Sequence, residues 1–376
     1  IITKYSTRND VTAFIQPLTT MVPYFALFYV AIESVSGGIY WLTAISSLVL
    51  TLIVLRVFMM MHDAGHKCLY QGNKPNVLVG FMMGVLCGIP EHVWSKHHAY
   101  HHSTNGNWNK YRGPLSVLSS DEYAALSDKK KKSYVNSRKI LLAPLGGFMY
   151  FIFNPRFTWA KGSIQFLVHC ITQKIKAPSK PIKDIASEFK TGFWADKKEY
   201  FHMAANNVVL LSSWVLASMY FGAAAFFAVY IFVLSIAGAL GIILFTIQHN
   251  FEDSYASDDE GWDYNTAAIL GTSYLDLPKI LHWFTADIGY HHVHHLSARI
   301  PNYKLVECHE EFAHLFSEVK RIQLSQSLQA FIHILWDKES RKVISIEKFN
   351  ALYPDGKVSC PQKESELENT DSLKEA

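Results

Sequence analysis

The longest uncharged stretch of the chain runs from Tyr200 to Phe251 and contains 52 residues without Lys, Arg, Asp or Glu. An α-helix rises about 1.5 Å per residue, so this stretch makes roughly 78 Å of helix, enough to cross a ~30 Å hydrocarbon core twice. The alternative is a soluble helical protein with hydrophobic hairpins in its core, but so long an uncharged run favours a membrane hairpin. The turn of this hairpin is predicted near Tyr220-Phe221-Gly222.

A second membrane hairpin is predicted near the N-terminus. Val11–Ile32 and Ser34–Leu55 are uncharged runs of 22 residues each, and the turn signal Gly37-Gly38 lies between their centres. Two further apolar stretches, Pro75–Pro90 and Ile140–Pro155, contain 16 residues each and are interrupted by Pro and Gly. They are short for full spans, so they are predicted to be interfacial or re-entrant segments.

The distribution of basic residues predicts the orientation in the membrane. The turns inside both hairpins carry no Lys or Arg, whereas the segment between the hairpins carries many, including Lys129–Lys132. Cytoplasmic loops are enriched in Lys and Arg, so this segment and both termini are predicted to be cytoplasmic. No signal peptide is predicted, because the first residues lack a basic region followed by a short apolar core and a cleavage site.

These segments define the predicted organisation of the chain, an all-α integral membrane protein. Four transmembrane helices form two hairpins, and a helical cytoplasmic cap lies on them. The predicted regions are hairpin 1 over 11–61, a cytoplasmic or interfacial region over 62–199, hairpin 2 over 200–251, a cytoplasmic region over 252–345, and a mobile C-terminal tail over 346–376.

Composition excludes several classes of function. The 35 Lys+Arg and 32 Asp+Glu residues leave a formal charge of +3, too small to indicate nucleic-acid binding. Five cysteines without a CxxC pair indicate neither a disulfide framework nor a thiolate zinc site. The unusual feature is the 18 histidines, because ten of them fall in three short stretches.

The clustered histidines have helical spacing. An i, i+4 pair lies on one face of a helix, and the pattern His-x-x-His-His offers three imidazoles to a common point. That pattern occurs twice, whereas the composition predicts far fewer than one copy by chance. One further histidine ends the last predicted span. The nine candidate ligands are His62, His66, His98, His101, His102, His249, His291, His294 and His295.

Counting ligands indicates more than one metal ion. Nine imidazoles exceed the six positions of an octahedral ion, so two ions are the economical interpretation. Imidazole suits iron, copper, nickel and zinc alike, and the spacing does not choose among them. Two Glu-x-x-His pairs, Glu199/His202 and Glu311/His314, are typical of carboxylate-bridged di-iron bundles, but chance alone accounts for them.

The histidine motifs stand in larger patterns that occur in a fixed order. They are His62-Asp63-x-Gly65-His66, Trp94 with His97-His98-x-x-His101-His102, Gln248-His249-x-Phe251-Glu252, Gly289-Tyr290-His291-x-x-His294-His295-Leu296 and Ile300-Pro301-x-Tyr303. This conjunction resembles the membrane fatty acid desaturase family. The likeness extends roughly from His62 to His309 and is greatest to the omega-6 (delta-12-like) acyl desaturases of bacteria and plastids.

The resemblance implies a non-haem di-iron centre held by the nine histidines, with O₂ as co-substrate. The implied reaction inserts a cis double bond into an acyl chain, of delta-12/omega-6 type on a lipid-linked chain, as part of fatty acid biosynthesis. The resemblance also implies that the nine histidines are the catalytic residues. Asp63, Glu252 and Asp287 are candidate acceptors for imidazole N–H groups.

Electrons are expected from a separate donor. The chain has no His-Pro-Gly-Gly haem motif, no cysteine cluster for iron–sulfur and no GxGxxG fingerprint. The resemblance therefore implies a ferredoxin or cytochrome b5-like donor. It also implies a multi-pass protein of a bacterial inner membrane or an organelle membrane, with the histidine boxes on the cytoplasmic side and the acyl substrate in the membrane.

Two alternatives remain. A membrane di-iron hydroxylase or ketolase acting on an alkane, sterol or carotenoid is the nearer one, but alkane hydroxylases usually show Asn-Tyr-x-Glu-His where this chain has Gln248–Glu252. A histidine-rich metal transporter is expected to carry ionisable ligands inside its spans. Here the boxes lie at or beyond the ends of the predicted spans.

Overall fold

The computed structural model of the chain describes residues 2–111 and 116–358, and most of these residues are helical. A π-helix covers Phe148–Phe153, and four 3-10 helices cover Ile140–Leu142, Asn302–Lys304, Ala313–Phe316 and Leu324–Ile332. The α-helices are α1 (Ile2–Tyr5), α2 (Asp10–Ser36), α3 (Tyr40–Gly65), α4 (Asn73–Cys87), α5 (Glu91–Thr104), α6 (Ser120–Ala124), α7 (Asp128–Ser137), α8 (Ala143–Gly147), α9 (Asn154–Lys176), α10 (Ile182–Glu188), α11 (Lys197–Phe221), α12 (Ala223–His249), α13 (Tyr264–Leu270), α14 (Lys279–Phe284), α15 (His291–Leu296), α16 (Leu305–Glu311) and α17 (Ile346–Leu352).

The first hairpin consists of α2 and α3. Its first helix begins after Asn9, whose Oδ1 atom accepts hydrogen bonds from the backbone N–H groups of Val11 and Thr12 and so caps the helix. The chain then reverses at Gly37-Gly38, where Gly38 has a φ of 74°, which a residue with a side chain rarely adopts. The reversal therefore lies where the glycine signal predicts it.

The second hairpin consists of α11 and α12. The side chain of Asp196 accepts a hydrogen bond from the N–H of Glu199 at 2.9 Å and caps α11. Gly222, with a φ of 83°, ends α11 and precedes α12, as predicted. The apolar helix α12 packs against α2, α3, α8 and α11, which places it at the centre of the helical assembly.

A sharp bend separates α4 from α5, whose axes differ by 100°. The bend contains Gly88, with a φ of 77°, where an added Cβ would lie 2.5 Å from the carbonyl oxygen of Phe151. Arg156 holds the bend, because its Nη2 donates to the carbonyl of Gly88 at 2.6 Å and its Nη1 to that of Phe151 at 2.7 Å. Pro75–Pro90 is therefore part of a bent segment, either a broken span or a re-entrant loop, whereas the sequence predicts an interfacial or re-entrant segment.

The number of apolar helices differs from the predicted four. Within the described residues, five helical segments are long and apolar enough to cross a membrane, or six if α4 and α5 form one bent span. The additional segment is Ile140–Lys176, whose first part is predicted from sequence to be interfacial or re-entrant. Its helix continues through Phe148–Phe153 into α9, and the carbonyl of Phe151, four residues before Pro155, accepts a hydrogen bond from Nη1 of Arg156, because Pro155 has no N–H to donate.

Close contact between α8 and α12 depends on two glycines. A Cβ added to Gly147 would overlap the carbonyl oxygen of Ser235, and one added to Gly238 would lie 2.5 Å from the Cα of Gly147. Small residues at such a crossing let the two backbones approach each other. The contact fixes the start of the Ile140–Lys176 segment against the central helix.

Two small sheets correct the all-α prediction. β1 (Leu118–Ser119), β4 (His333–Asp337) and β5 (Lys342–Ser345) form a three-stranded sheet, in which β1 pairs parallel and β5 antiparallel with β4. β2 (Ser273–Asp276) and β3 (Lys320–Gln323) pair parallel in a second sheet. Strands this short lack a detectable alternation of polar and apolar residues, and all five residues of β4 are buried.

The predicted C-terminal tail begins with folded structure. The sequence predicts a mobile tail over 346–376, whereas α17 covers Ile346–Leu352 and its Phe349 is buried in a cluster with Leu335 and Ile344. The remainder of the predicted tail, residues 359–376, lies outside the described residues.

Candidate metal centre

Four helices carry the nine predicted ligands to one place. The first histidine box, residues 62–66, lies at the end of α3, and the second, residues 97–102, lies on α5. His249 is the last residue of α12, and the third box, residues 291–295, forms most of α15. The glycine turns at Gly38 and Gly222 stand at the opposite ends of α3 and α12. The histidines therefore share one end of the two hairpins.

The histidines form two clusters with no carboxylate in either. In the first, the potential ligand nitrogens all lie within 4.8 Å of one another, and the same holds for the second. The first cluster consists of His62, His66, His98, His102 and His294, and the second of His101, His249 and His295. His291 adjoins the second cluster, because its Nε2 atom lies 3.0 Å from Nε2 of His249.

The spacing of the nitrogen atoms fits metal ligation. Nε2 of His102 lies 3.1 Å from Nε2 of His98 and 3.0 Å from Nε2 of His294, and Nε2 of His249 lies 3.2 Å from Nε2 of His101. With metal–nitrogen bonds of about 2.1 Å, ligands at right angles around one ion are about 3.0 Å apart. The four elements thus bring these nitrogens to the separation that one ion requires.

Some ring nitrogens in the clusters have no hydrogen-bond partner in the described part of the chain and are therefore available to bind a metal ion. A neutral imidazole has one N–H, so two Nε2 atoms that face each other can share at most one proton. Nε2 of His66 and Nε2 of His295 are buried and have no hydrogen-bond partner within the described residues. Buried polar atoms without partners are uncommon and call for an explanation, which a bound metal ion supplies.

Burial also sets the protonation state of the α15 ligands. The pKa values of His291, His294 and His295 are well below the ordinary value, first because burial disfavours the charged ring and then because neighbouring imidazoles repel it. Neutral imidazole is the form that binds a metal ion. An all-imidazole donor set suits iron, copper, nickel or zinc.

Hydrogen bonds behind the rings orient two of the ligands. Nδ1 of His62 lies 2.8 Å from Oδ1 of Asp63, whose Oδ2 accepts hydrogen bonds from the backbone N–H and the Nδ2 of Asn302. Nδ1 of His249 lies 3.3 Å from the carbonyl oxygen of Gly271. Asn302 and Gly271 are absent from the sequence prediction, although Asn302 occupies the variable position of the Ile300-Pro301-x-Tyr303 pattern.

The structure does not bring the other two predicted acceptors to the clusters. Oδ1 of Asp287 lies 3.6 Å from Nδ1 of His282, which belongs to neither cluster, and burial raises the pKa of Asp287 to about 6. Glu252 lies in an exposed turn just beyond the end of α12, and in the described part of the chain it forms no hydrogen bond or ion pair with a histidine. Proximity in sequence to His249 does not turn its side chain towards the metal ligands.

Aromatic residues pack against both clusters. The Trp94 indole stacks on His98 with ring centroids 4.5 Å apart, and its Nε1 donates to the Tyr150 hydroxyl at 2.8 Å. Phe245 contacts the rings of both His101 and His249. Each cluster is therefore bordered on one side by aromatic rings.

A narrow cavity adjoins the second cluster, and the empty space in it is about 420 Å³ when space open to solvent is included. Its lining includes two candidate ligands and several apolar residues, among them His101, His249, Phe245, Val117, Trp336 and Val343. A ligand pocket with mainly apolar walls and a few polar groups suits an apolar substrate. A hydrocarbon chain in this cavity would contact the second histidine cluster.

Comparison with known proteins agrees with the motifs. Residues 39–325, which include all nine histidines, match the family model described as "Fatty acid desaturase". The protein named "Fatty acid desaturase" from Bacillus subtilis (strain 168) is 32% identical over 364 residues, which cover 96% of this chain and 93% of that protein. "Omega-3 fatty acid desaturase, chloroplastic" from Ricinus communis is 26% identical over 260 residues, 68% of this chain and 50% of that protein. The chain belongs to the fatty acid desaturase family.

Proposed function

We propose that the chain is a membrane desaturase that uses two irons and O₂ to insert a cis double bond into a lipid-linked acyl chain, in the delta-12/omega-6 position. The observation that carries this proposal is the pair of all-histidine clusters beside an apolar cavity. Breaking an unactivated C–H bond lies beyond acid–base chemistry, so bound irons would supply the oxidising power when O₂ is present.

The protein's own part is to hold, orient and enclose the reacting groups. Five histidines would hold one iron, and His101, His249, His291 and His295 the other. The Asp63 carboxylate accepts a hydrogen bond from Nδ1–H of His62, and the Gly271 carbonyl accepts one from Nδ1–H of His249. Both rings would therefore present Nε2 to a metal ion. The apolar walls of the cavity would fix which carbon lies beside the histidines, and a shift of one methylene would change the product.

Location and electron supply complete the proposal. The histidine end of the hairpins faces the cytoplasm, in a bacterial inner membrane or an organelle membrane, because the basic segment with Lys129–Lys132 lies between the hairpins. A ferredoxin or cytochrome b5-like protein delivers electrons from that side. Support for a separate donor comes from the sequence, which contains no haem, iron–sulfur or dinucleotide motif.

The test is the lipid profile of a host rich in monounsaturated acyl chains. Expression of the chain should yield new diunsaturated chains, and gas chromatography–mass spectrometry of total lipid, with derivatives that locate double bonds, identifies their positions. His294→Ala should abolish the product, whereas His314→Ala, at an exposed histidine outside both clusters, should not.

The same profile distinguishes the alternatives. Hydroxylated or keto products would favour the hydroxylase or ketolase. The Ricinus communis relative carries omega-3 in its name, so a double bond three carbons from the methyl end would replace the delta-12 assignment while retaining desaturation. Full activity with stoichiometric zinc and no dependence on iron would contradict the di-iron centre.

A further inference from the structure

An arginine is buried inside the apolar helix α3, between the glycine turn and the first histidine box. Arg56 is 3% exposed, and α3 is one of the helices long and apolar enough to cross a membrane. Charged side chains inside such helices are costly, so they face the protein interior and commonly have a function. Arg56 belongs to neither histidine cluster, and its charge therefore calls for another explanation.

The guanidinium of Arg56 joins three helices. Its Nε donates to the Thr20 hydroxyl of α2 at 3.1 Å, and its Nη1 donates to the backbone carbonyl of Trp283 in the last turn of α14. The central carbon of the guanidinium lies 4.1 Å from the centroid of the Trp283 ring. That ring is 39% exposed, so it covers the charge on the outer side and attracts it through its π face.

The carbonyl that Arg56 binds begins a connection with an unfavourable backbone. Residues 285–290 join α14 to α15, and two of them, Ala286 and Asp287, have φ angles of 49° and 56°. The N–H of Ala286 donates to the Trp283 carbonyl oxygen at 3.3 Å, so Arg56 and the connection share this oxygen. Residues with a Cβ rarely adopt a left-handed conformation, and two in succession persist only where surrounding contacts hold them.

A second buried side chain holds the other end of the connection. Nε2 of Gln248, on α12, donates to the carbonyl of Ile288 at 2.8 Å. Gln248 directly precedes His249 of the second cluster. The connection is thus held by α3 at its start and by α12 near its end, immediately before the histidines of α15.

Acidic groups balance the buried charge. The carboxylates of Asp287, in the connection, and of Asp63, at the end of α3, attract the Arg56 guanidinium. Neither carboxylate forms an ion pair with Arg56 in the part of the chain that the structure describes. The directional contacts of Arg56 are therefore those with Thr20 and the Trp283 carbonyl, which depend on the planar shape of the guanidinium as well as on its charge.

We propose that Arg56 is a positioning residue for the third histidine box. Its guanidinium holds the connection 285–290 against α3, and this fixes where α15 presents His294 to the first cluster and His295 to the second. The proposal rests on the metal centre of the proposed function and adds a residue that acts on the ligands from inside a membrane span.

Hydrogen–deuterium exchange tests the support of the connection without requiring metal or turnover. Arg56→Lys keeps the charge but loses the planar group that reaches Thr20 and the Trp283 carbonyl together. Amides of residues 285–290 in the metal-free full chain should exchange about tenfold faster, as expected for the loss of one hydrogen bond from a charged group. Exchange at the wild-type rate would overturn the proposal.

Arg156 provides the matched control, because it is a second arginine that donates to backbone carbonyls, those of Gly88 and Phe151. Arg156→Lys should speed exchange in the bend between α4 and α5 and leave residues 285–290 at the wild-type rate. Equal acceleration of residues 285–290 by both substitutions would indicate general loosening and overturn the proposal. If Arg56→Lys does not fold, Thr20→Val removes the partner of Nε and should loosen the same connection to a smaller extent.

A rescue experiment tests whether the left-handed backbone is what Arg56 holds. Glycine adopts a φ of 49° without the steric cost that alanine has there. Ala286→Gly in the Arg56→Lys background should therefore recover part of the lost protection of residues 285–290. An absence of recovery would show that Arg56 does not act through this backbone and would overturn the proposal.

Cobalt(II) binding to the metal-free protein tests the consequence for the ligands, because the visible absorption of bound cobalt reports its coordination. Since α15 contributes a histidine to each cluster, Arg56→Lys should weaken the binding of both ions about tenfold, and Ala286→Gly should restore part of the affinity. A loosened connection with unchanged cobalt binding would overturn the proposal. A wild-type chain that binds both metal ions but makes no new double bond would refute the proposed function and leave the role of Arg56 intact.

Discussion

Asn302 donates to Asp63 through both its backbone N–H, at 3.0 Å, and its Nδ2, at 2.8 Å, although 239 residues separate them. The other carboxylate oxygen of Asp63 lies 2.8 Å from Nδ1 of His62. All three residues are buried. The segment after the third histidine box therefore fixes the carboxylate that orients a ligand of the first box.

Asp63→Asn should weaken iron binding because it replaces the charged acceptor of the His62 N–H. Loss of such a partner typically costs about 10- to 100-fold in metal affinity or activity. Iron per chain and diunsaturated product measure the effect. Glu252→Gln is the matched control, since Glu252 is exposed and forms no hydrogen bond with a histidine among the described residues; an equal loss there would show that the Asp63 contact has no special role.

The two clusters should lose iron separately. His294→Ala removes a candidate ligand of the first cluster and His249→Ala one of the second. Each variant should retain about half the iron and no desaturase activity, because the proposed reaction uses both ions. Elemental analysis of purified protein gives the ratio of iron to chain. His314→Ala is the control, and full iron in both cluster variants would refute the assignment of ligands.

Asp287 should make stability depend on pH. Burial raises its pKa to about 6, an effect that Arg56 opposes and Asp63 reinforces. The folded state therefore binds more protons than the unfolded state between pH 4 and 6, and stability falls as pH rises through that range. The loss is at most about 3 kcal/mol, at 1.36 kcal/mol per pKa unit.

Asp287→Asn removes this titration. The Tm of the variant minus the Tm of the wild-type chain should be larger at pH 7 than at pH 4.5, with both proteins measured in the same detergent. His282 and Arg56, which face Asp287, are present in both proteins, so the difference isolates the carboxyl group. A difference that stays constant with pH would contradict the raised pKa.

Local features were predictable from the sequence because their cause is local. Gly222 ends α11 through its own backbone conformation, and the spacing of His98, His101 and His102 alone places three rings on one face of α5. The length of the uncharged run likewise gives the second hairpin. Each of these depends on residues within a few turns of one another.

Features that depend on distant residues were not predictable. The pairing of Leu118 with Leu335 joins strands too short to show a pattern, and the Asp63–Asn302 contact joins opposite ends of the histidine region. The helix through Ile140–Lys176 persists because Gly147 packs on α12, whereas its Gly and Pro content alone favours a break. Glu252 shows the converse, because it is close to His249 in sequence but is exposed and forms no hydrogen bond with a histidine among the described residues.

Two glycines on α12 provide a matched test of the packing that positions His249. An added Cβ at Gly238 would lie 2.5 Å from the Cα of Gly147, whereas one at Gly241 has no neighbour within 4 Å outside its own helix and adjoining residues. Gly238→Ala should therefore destabilise the protein by about 1–3 kcal/mol through overpacking. Gly241→Ala should stabilise it by up to about 1 kcal/mol through helix propensity.

Thermal unfolding in one detergent, with iron content measured in parallel, checks both substitutions. Gly238→Ala should lower the Tm and also the iron content, because separating α8 from α12 moves the helix that carries His249. Gly241→Ala should raise the Tm and leave the iron unchanged. If the Tm fell in both variants, any added side chain on α12 would be destabilising. The close contact of Gly147 with Gly238 would then not explain how the second cluster is held in place.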